Sequence, residues 1–323
     1  MPNRYFAARH SNALPVGAAV KAAAFDYLAP RTLDQALTAL SAHGDDAKLL
    51  AGGQSLAPVL ALRLANPAVL IDLNRVAGLD RLQTDGAGDM HIGAMVRSRT
   101  LELSPEIARA QPLIHAAMPW VAHVQIRNRG TLGGSLSHAD PSAELPAVAI
   151  ACDAVLTLRS LRGEREVAAE SFFKGLFTTA LAQDEILTSV RFPGWPATRR
   201  CGFIELARRH GDYAIVGVAL TVDIDDSAKV TAARLVLFGA SDMPMRARAV
   251  ESALIGERAD SALAARAASA AAAGLDLRSD HQASAEYRRE LAQVLTRRAL
   301  VQAFSAPAAT VAGAPPGIAG GQQ

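Results

Sequence analysis

The sequence is poor in cysteine. Its 323 residues include only Cys152 and Cys201. Two thiols cannot build a disulfide framework or supply the four thiolates of an iron–sulfur cluster, so any such cluster belongs to another chain. Cys152 falls in an apolar stretch that reads as helix and Cys201 at the start of a strand, and both read as buried, inert thiols. An excess of one charge is missing too: 33 basic residues face 31 acidic ones, for a formal net charge of +2. That balance gives no reason to expect a nucleic-acid partner. No uninterrupted apolar run reaches the ~18 residues that mark a membrane span. Arg4, Arg9 and alanine-rich stretches stand at the N-terminus, but Asn12, Pro15 and Gly17 interrupt the apolar core a signal peptide needs. A cytoplasmic location is the expectation.

Apolar residues make up 50% of the chain, enough for a large core. The length points to two domains. Arginine outnumbers lysine and alanine is abundant, which reads as compositional bias before function. The folded pattern begins at Val20-Lys21. Residues 1–19 are therefore expected to be a disordered extension, and the Ala-, Pro- and Gly-rich residues 306–323 a disordered tail.

Strand and helix signals alternate at first. Residues 24–28 read as a strand. Thr32 and Gln35 have capping-box spacing before Leu33, Ala36, Leu37 and Leu40, and Gly44 ends that helix. Residues 47–50 form a second strand, a brief helix follows to Leu64, and residues 69–73 form a third. Short strands at 79–82 and 91–95 flank the turn Asp85-Gly86-Ala87-Gly88. An amphipathic helix is predicted over 111–124, then a long polar loop over 125–146, with a helix starting at Pro141-Ser142. Strands return at 154–158, 165–167 and 185–192. After the boundary Pro193-Gly194-Trp195-Pro196, strands at 202–206, 214–224 and 230–239 precede helical periodicity from Arg246 to Phe304.

Four motifs carry chemistry. In Ala51-Gly52-Gly53-Gln54-Ser55, paired glycines after a strand let successive N–H groups converge on an anion such as a pyrophosphate. Ser55 adds a hydroxyl. The same residues also suit an ordinary tight turn, and they are neither G-x-G-x-x-G nor a lysine-bearing phosphate loop. Thr131-Leu132-Gly133-Gly134-Ser135 repeats the chemistry roughly eighty residues later, with Arg127 and Arg129 placed to offset phosphate charge. Two such loops can hold two sides of one diphosphate. In residues 138–146, Asp140 or Glu144 can accept from ribose or ribityl hydroxyls; Asp140 can equally be a helix-start residue. His138 and Asp140 lack a third ligand or a nucleophile nearby. Gly211-Asp212 forms a turn that presents Tyr213, an aromatic suited to covering a flat ring or to core packing.

These motifs, in this order, resemble the FAD-binding medium subunits of molybdenum hydroxylases, the carbon monoxide dehydrogenase and xanthine dehydrogenase family. The resemblance spans about residues 20–305. It implies an α+β fold: a two-lobed FAD-binding domain of the vanillyl-alcohol-oxidase-like type at 20–195, then a domain at 196–305 with a three-stranded antiparallel sheet and a helix bundle. It implies non-covalent FAD, its diphosphate held by Ala51, Gly52, Gly53, Gln54 and Ser55 and by Thr131, Leu132, Gly133, Gly134 and Ser135. It places Glu144 near the flavin's polar chain, Leu187 near the adenine and Tyr213 by the isoalloxazine. No catalytic residue and no metal ligand is implied. The molybdenum cofactor and 2Fe–2S clusters are expected on a large and a small partner subunit, in a dimer of heterotrimers. The chain departs from the pattern at Gln54, often histidine, at Ser135, often asparagine, and near Ile204 and Glu205, where some relatives have a flavin-contacting lysine. Two rival functions remain: a stand-alone FAD oxidase of a small alcohol or amine, and a non-catalytic nucleotide-binding scaffold.

Overall fold

The computed structural model describes residues 21–306. The expected extension at 1–19 and, Ala306 apart, the expected tail lie outside the described residues. The chain opens with β1 (Asp26–Leu28), α1 (Leu33–His43), β2 (Ala47–Leu50), α2 (Leu56–Ala61) and β3 (Val69–Asp72). The strands pair in parallel in the order β1-β3-β2. α1 starts where its sequence says, with Thr32 Oγ1 accepting from the Gln35 N–H at 3.2 Å, and Gly44 closes it at φ +51°. Ala36, Leu37 and Leu40 share a small core with Val69 and Ile71. Leu50 and Asp72 are register partners at the C-terminal ends of β2 and β3. The turn after β2 and the turn after β3 therefore open at the same sheet edge.

A second unit begins with β4 (Leu82–Thr84) and β5 (Met90–Gly93). Asp85 Oδ1 ties their turn by accepting from the N–H groups of Ala87 and Asp89 at 2.9 and 3.0 Å. Next come α3 (Ser98–Leu103), α4 (Pro105–Ala110), α5 (Pro112–Ala117), α6 (Val124–Arg127), α7 (Leu132–His138) and α8 (Glu144–Ala151). Then follow β6 (Val155–Ser160), β7 (Gly163–Ala168), α9 (Ala169–Phe172), β8 (Phe173–Gly175), β9 (Thr178–Thr179) and β10 (Ile186–Phe192). The main sheet runs β4-β5-β10-β6-β7, antiparallel throughout. Every residue of α8 is buried. After Glu144 its sequence, LPAVAIA, is apolar all round, as a helix enclosed on every side requires.

Several expectations are corrected here. The helix expected over 111–124 stops at Ala117, because Pro119 and the positive φ of Ala122 (44°) break it. The expected polar loop over 125–146 contains α6, α7 and the start of α8. These are too short to show a periodicity. The helix expected at Pro141-Ser142 starts at Glu144; Asp140 Oδ1 instead turns back to accept from the Ser142 N–H at 2.8 Å. α9, β8 and β9 had no counterpart in the sequence reading.

The third unit is β11 (Arg199–Leu206), β12 (Val216–Ile224), β13 (Val230–Phe238), β14 (Met245–Arg246), α10 (Arg248–Leu254), α11 (Ser261–Ala268) and α12 (Ala285–Ser305). The expected three-stranded sheet thus gains a fourth, two-residue strand, paired to Val236 and Leu237. Val218, Leu220 and Val222 pack with residues of α10, α11 and α12, whereas Ala219 joins the core of the second unit with Phe203, Val236 and Phe238. β12 is buried on both faces, which is why its first five residues, Val216 to Leu220, read as a continuous apolar run. The fully buried Arg288 pins the strand ends: its Nη1 donates to the carbonyls of Ile215 and Gly239 and its Nη2 to Asp280 Oδ1 at 2.6 Å. Among the described residues no helix is long and apolar enough to cross a membrane.

Candidate functional site

The two glycine loops meet at the open edge of the first sheet. A Cβ on Gly52 would lie 2.3 Å from the Arg129 carbonyl oxygen and 2.8 Å from Gly130 Cα, so only glycine lets these backbones touch. Gly53 turns the chain at φ +75°. In the second loop a Cβ on Gly133 would sit 2.5 Å from Ala94 Cβ, and one on Gly134 would be 3.6 Å from Ala51 Cβ. The loops are thus one surface. Thr131 caps α7, its Oγ1 accepting from the Gly134 N–H at 3.0 Å.

The two loops offer a ligand different groups. In the second, Leu132 N–H bonds Val96 O, Gly133 N–H bonds Ala94 O and Ser135 N–H bonds Thr131 O. With Gly134 spent on its cap, this loop presents chiefly the Ser135 hydroxyl. In the first, the N–H groups of Gly53, Gln54 and Ser55 have no acceptor among the described residues. Those are the donors a phosphate would take. The Gln54 side chain braces its own turn, Nε2 donating to Gly52 O at 2.9 Å. Leu132 is fully buried in the core.

A polar brace that sequence reasoning missed joins the loops from behind. Asn74 Nδ2 donates to Ala51 O at 2.9 Å, and Arg97 Nη2 donates to Asn74 Oδ1 at 2.6 Å. Arg97 Nη1 donates to Arg129 O, and Asp72 accepts from both Asn74 N–H and the Tyr27 hydroxyl. These residues are scattered over a hundred positions, so no local motif announces them. Arg127 is a correction. Expected beside a phosphate, it is buried, with Nε and Nη2 gripping Glu102 at 2.8 and 3.0 Å and Nη1 donating to Val121 O and Ala122 O. Arg129 is exposed.

The third unit supplies the far wall. The turn between β11 and β12 docks on the second unit: Gly211, at φ +88°, has room for no side chain beside the His123 ring, and the rings of His210 and Trp120 lie 5.7 Å apart. This sets Tyr213 beside Ser55 of the first loop. About half of the Tyr213 surface is exposed. Its phenol is nonetheless pushed up to about 12, first by the protein packed around it and then by the charges of Asp140 and Glu144. Leu187 is buried in β10, next to Thr188, whose carbonyl holds the N–H of Ala94 behind Gly133. It reaches the loops at one remove.

Acids gather between these walls. Burial pushes the Asp140 carboxyl up, opposed by the Ser142 N–H and by His138, whose own proton affinity burial lowers. Burial pushes Glu144 up to about 7, with Asp140 adding to the rise and its own backbone N–H and Arg127 opposing it. Glu205 goes to about 9, by burial and then by the charge of Glu144. The sequence reading marked position 205 only for the lysine it lacks. Among the described residues no three His, Cys, Asp or Glu side chains cluster to hold a metal. The thiols of Cys152 and Cys201 are both pushed up by burial, as expected of inert cysteines.

Open backbone donors, hydroxyls, an aromatic on a turn and buried carboxyls suit a dinucleotide. Residues 23–195 match the family described as the FAD binding domain in molybdopterin dehydrogenase, and residues 202–303 the CO dehydrogenase flavoprotein C-terminal domain. The chain belongs to the FAD-binding medium subunits of molybdopterin dehydrogenases. It is 39% identical over 285 residues to the 6-hydroxypseudooxynicotine dehydrogenase complex subunit alpha of Paenarthrobacter nicotinovorans, covering 88% of this chain and 96% of that one. It is 34% identical over 281 residues to the carbon monoxide dehydrogenase medium chain of Hydrogenophaga pseudoflava, covering 87% and 97%. Its structure matches that of a carbon monoxide dehydrogenase from the same organism, one lacking the Mo-pyranopterin moiety, with TM-score 0.85 and 35% identity over 88% of this chain and 98% of that one. Quinoline 2-oxidoreductase from Pseudomonas putida 86 gives 0.83 and 38% over 88% and 98%. This medium subunit is accordingly part of an oxidoreductase, with a mixed helix and sheet fold built around an FAD-binding domain.

One consequence for this flavoprotein concerns Tyr213. Tyr213→Phe removes a single hydroxyl near Ser55 and keeps the ring. A neutral hydrogen bond contributes about 1 kcal/mol, so FAD affinity measured by flavin fluorescence should weaken by no more than about fivefold. A larger loss would mean that the hydroxyl bonds the cofactor itself.

Proposed function

We propose that this chain is the electron-passing subunit of a heteromeric molybdenum hydroxylase, with FAD held non-covalently between the two glycine loops and the Tyr213 turn. The observation that carries the site is the set of open N–H groups at Gly53, Gln54 and Ser55, next to Gly52, which touches the backbone leading into the second loop, and close to Tyr213. Ala51 to Ser55 and Thr131 to Ser135 hold the diphosphate, Ser55 and Ser135 through hydroxyls. Glu144 lies toward the polar chain, Leu187 behind the adenine, and Tyr213 over the ring system. Bound FAD supplies the ability to accept electrons one at a time and release them in pairs. The chain's own work is to grip, orient and tune it.

The partners in this proposal are a small subunit with 2Fe–2S clusters, from which electrons arrive, and a large subunit with the molybdenum cofactor, which chooses the organic substrate. Electrons leave to an external acceptor. The assembly is a cytoplasmic dimer of heterotrimers. The FAD domain takes residues 20–195, as two lobes of the vanillyl-alcohol-oxidase-like kind, and the C-terminal domain 196–305. Tagging the full chain in the cells that encode it and purifying it gently tests this. Two further chains should co-purify, with molybdenum by metal analysis and the 2Fe–2S signature by electron paramagnetic resonance. A lone chain that oxidises a small alcohol or amine would contradict the proposal and favour an oxidase.

A further inference from the structure

Glu205 is a buried acid whose carboxyl makes no hydrogen bond or ion pair among the described residues. It stands two residues after Phe203 in β11, so the two side chains leave the same face of the strand. That face packs on the second unit, where the Phe203 ring lies 6.5 Å from that of Trp120, and the Phe238 ring of β13 lies 5.7 Å from it. Glu205 is only 5% exposed, and neither carboxyl oxygen has a hydrogen-bond partner among the described residues. Its register partner on β12 is Gly217, which brings no side chain to it.

Among the described residues no cation compensates it. Glu144 faces it with the same charge. Arg127 is committed to Glu102. Of the elements packed on β11, β12 brings Asp223, tied to Arg199 at 2.8 Å. α12 brings Arg288, committed to two carbonyls and Asp280. α5 brings His115, which is exposed. An ionised carboxylate buried with neither donor nor counter-charge is prohibitive, so the group keeps its proton. Its O–H is then a donor with no acceptor among the described residues, beside Glu144 and next to Leu206, whose carbonyl accepts from Ile215 at the end of the Tyr213 turn.

We propose that Glu205 is a neutral carboxylic acid whose O–H donates a hydrogen bond to an acceptor atom of the bound FAD. The proposal rests on the FAD reading above. Burial keeps it protonated, and the charge of Glu144 adds to that. An orphaned acid destabilises the chain without its cofactor, and the bond it makes to the cofactor repays that cost. Glu205 is thereby a binding residue, not a fold residue.

FAD titrations of the full chain, followed by flavin fluorescence across pH, test this in wild type, Glu205→Gln and Glu205→Leu. Wild-type affinity should hold near neutral pH and fall as pH rises through about 9, where the free acid ionises. Glu205→Gln keeps a donor that cannot ionise, so its affinity should match wild type at neutral pH and lack that fall. Ionisations of the flavin and of Tyr213 are common to both proteins. Glu205→Leu should bind about tenfold more weakly, as for one lost hydrogen bond to a buried acceptor. Without FAD it should melt no lower than wild type, since an apolar group replaces an unpaired buried acid. FAD binding with the same pH profile in wild type and Glu205→Gln, or undiminished in Glu205→Leu, would overturn the proposal and leave the FAD reading intact. A wild type that takes up no FAD at any pH overturns both.

Discussion

Gly52→Ala should cost the chain most of its affinity for FAD. The added methyl has nowhere to go: it meets the Arg129 carbonyl oxygen at 2.3 Å and Gly130 Cα at 2.8 Å, both backbone atoms of the second loop. A flexible side chain could swing aside, but a backbone held by Arg97 and by the cap of α7 cannot. Relief requires the two loops to part, and their contact is what makes them a single surface. Overpacking of this kind costs about 2 kcal/mol. Spent on separating the loops, that equals a roughly thirtyfold weaker Kd for FAD. Gly86→Ala is the control, because a Cβ there meets nothing within 4 Å and its turn lies far along the chain. It should leave both Kd and melting temperature unchanged. Equal FAD binding by Gly52→Ala and wild type would show that the loop contact does not shape the site.

Arg127→Ala should be the most destabilising single change near the site. The guanidinium makes a two-point bridge to Glu102, with side chains only 10% and 15% exposed, and also holds the carbonyls of Val121 and Ala122. Removing one partner of a buried pair strands the other, typically at about 3–5 kcal/mol. Arg99 remains 2.8 Å from Glu102, which places the expected loss near the lower end, about 3 kcal/mol. Denaturant unfolding measures it directly. The pair also fixes a pH dependence. Burial alone would raise the Glu102 carboxyl, but Arg127 and Arg99 outweigh it and hold the group below its ordinary value. A depressed acid contributes stability that is whole above its unfolded pKa, about 4.3, and is lost as pH falls through the lower folded value. Wild type should therefore lose stability in acid more steeply than Arg127→Ala. Parallel acid limbs would show that the bridge contributes little.

What could be read from the chain follows the range of the interactions involved. α1 was legible because its cap, its apolar spacing and Gly44 are all local. β12 was legible as a strand because burial on both faces leaves it apolar but for Thr221 and Asp223. The glycine loops were legible as candidates, though not their division of labour. Only tertiary contacts show that Leu132 and Gly133 give their N–H groups to Val96 and Ala94 while Gly53 to Ser55 keep theirs open. Arg127 misled, since a basic residue beside a glycine loop looks the same whether it faces a phosphate or Glu102, twenty-five residues away. α6 and α7 stayed hidden because a helix of one or two turns is held by its caps and surroundings rather than by propensity. Glu205 was in plain view on the strand face that also carries Cys201 and Phe203. Its meaning depends on what is absent around it, and that requires the folded structure.

The most direct test is a visible spectrum of the purified full chain, before and after adding FAD, followed by denaturation. The expected result is a bound-flavin spectrum that saturates at one FAD per chain, with all of the flavin released on denaturation. A chain that carries no flavin and takes up none would contradict the central claim, that the two glycine loops and the Tyr213 turn form an FAD site.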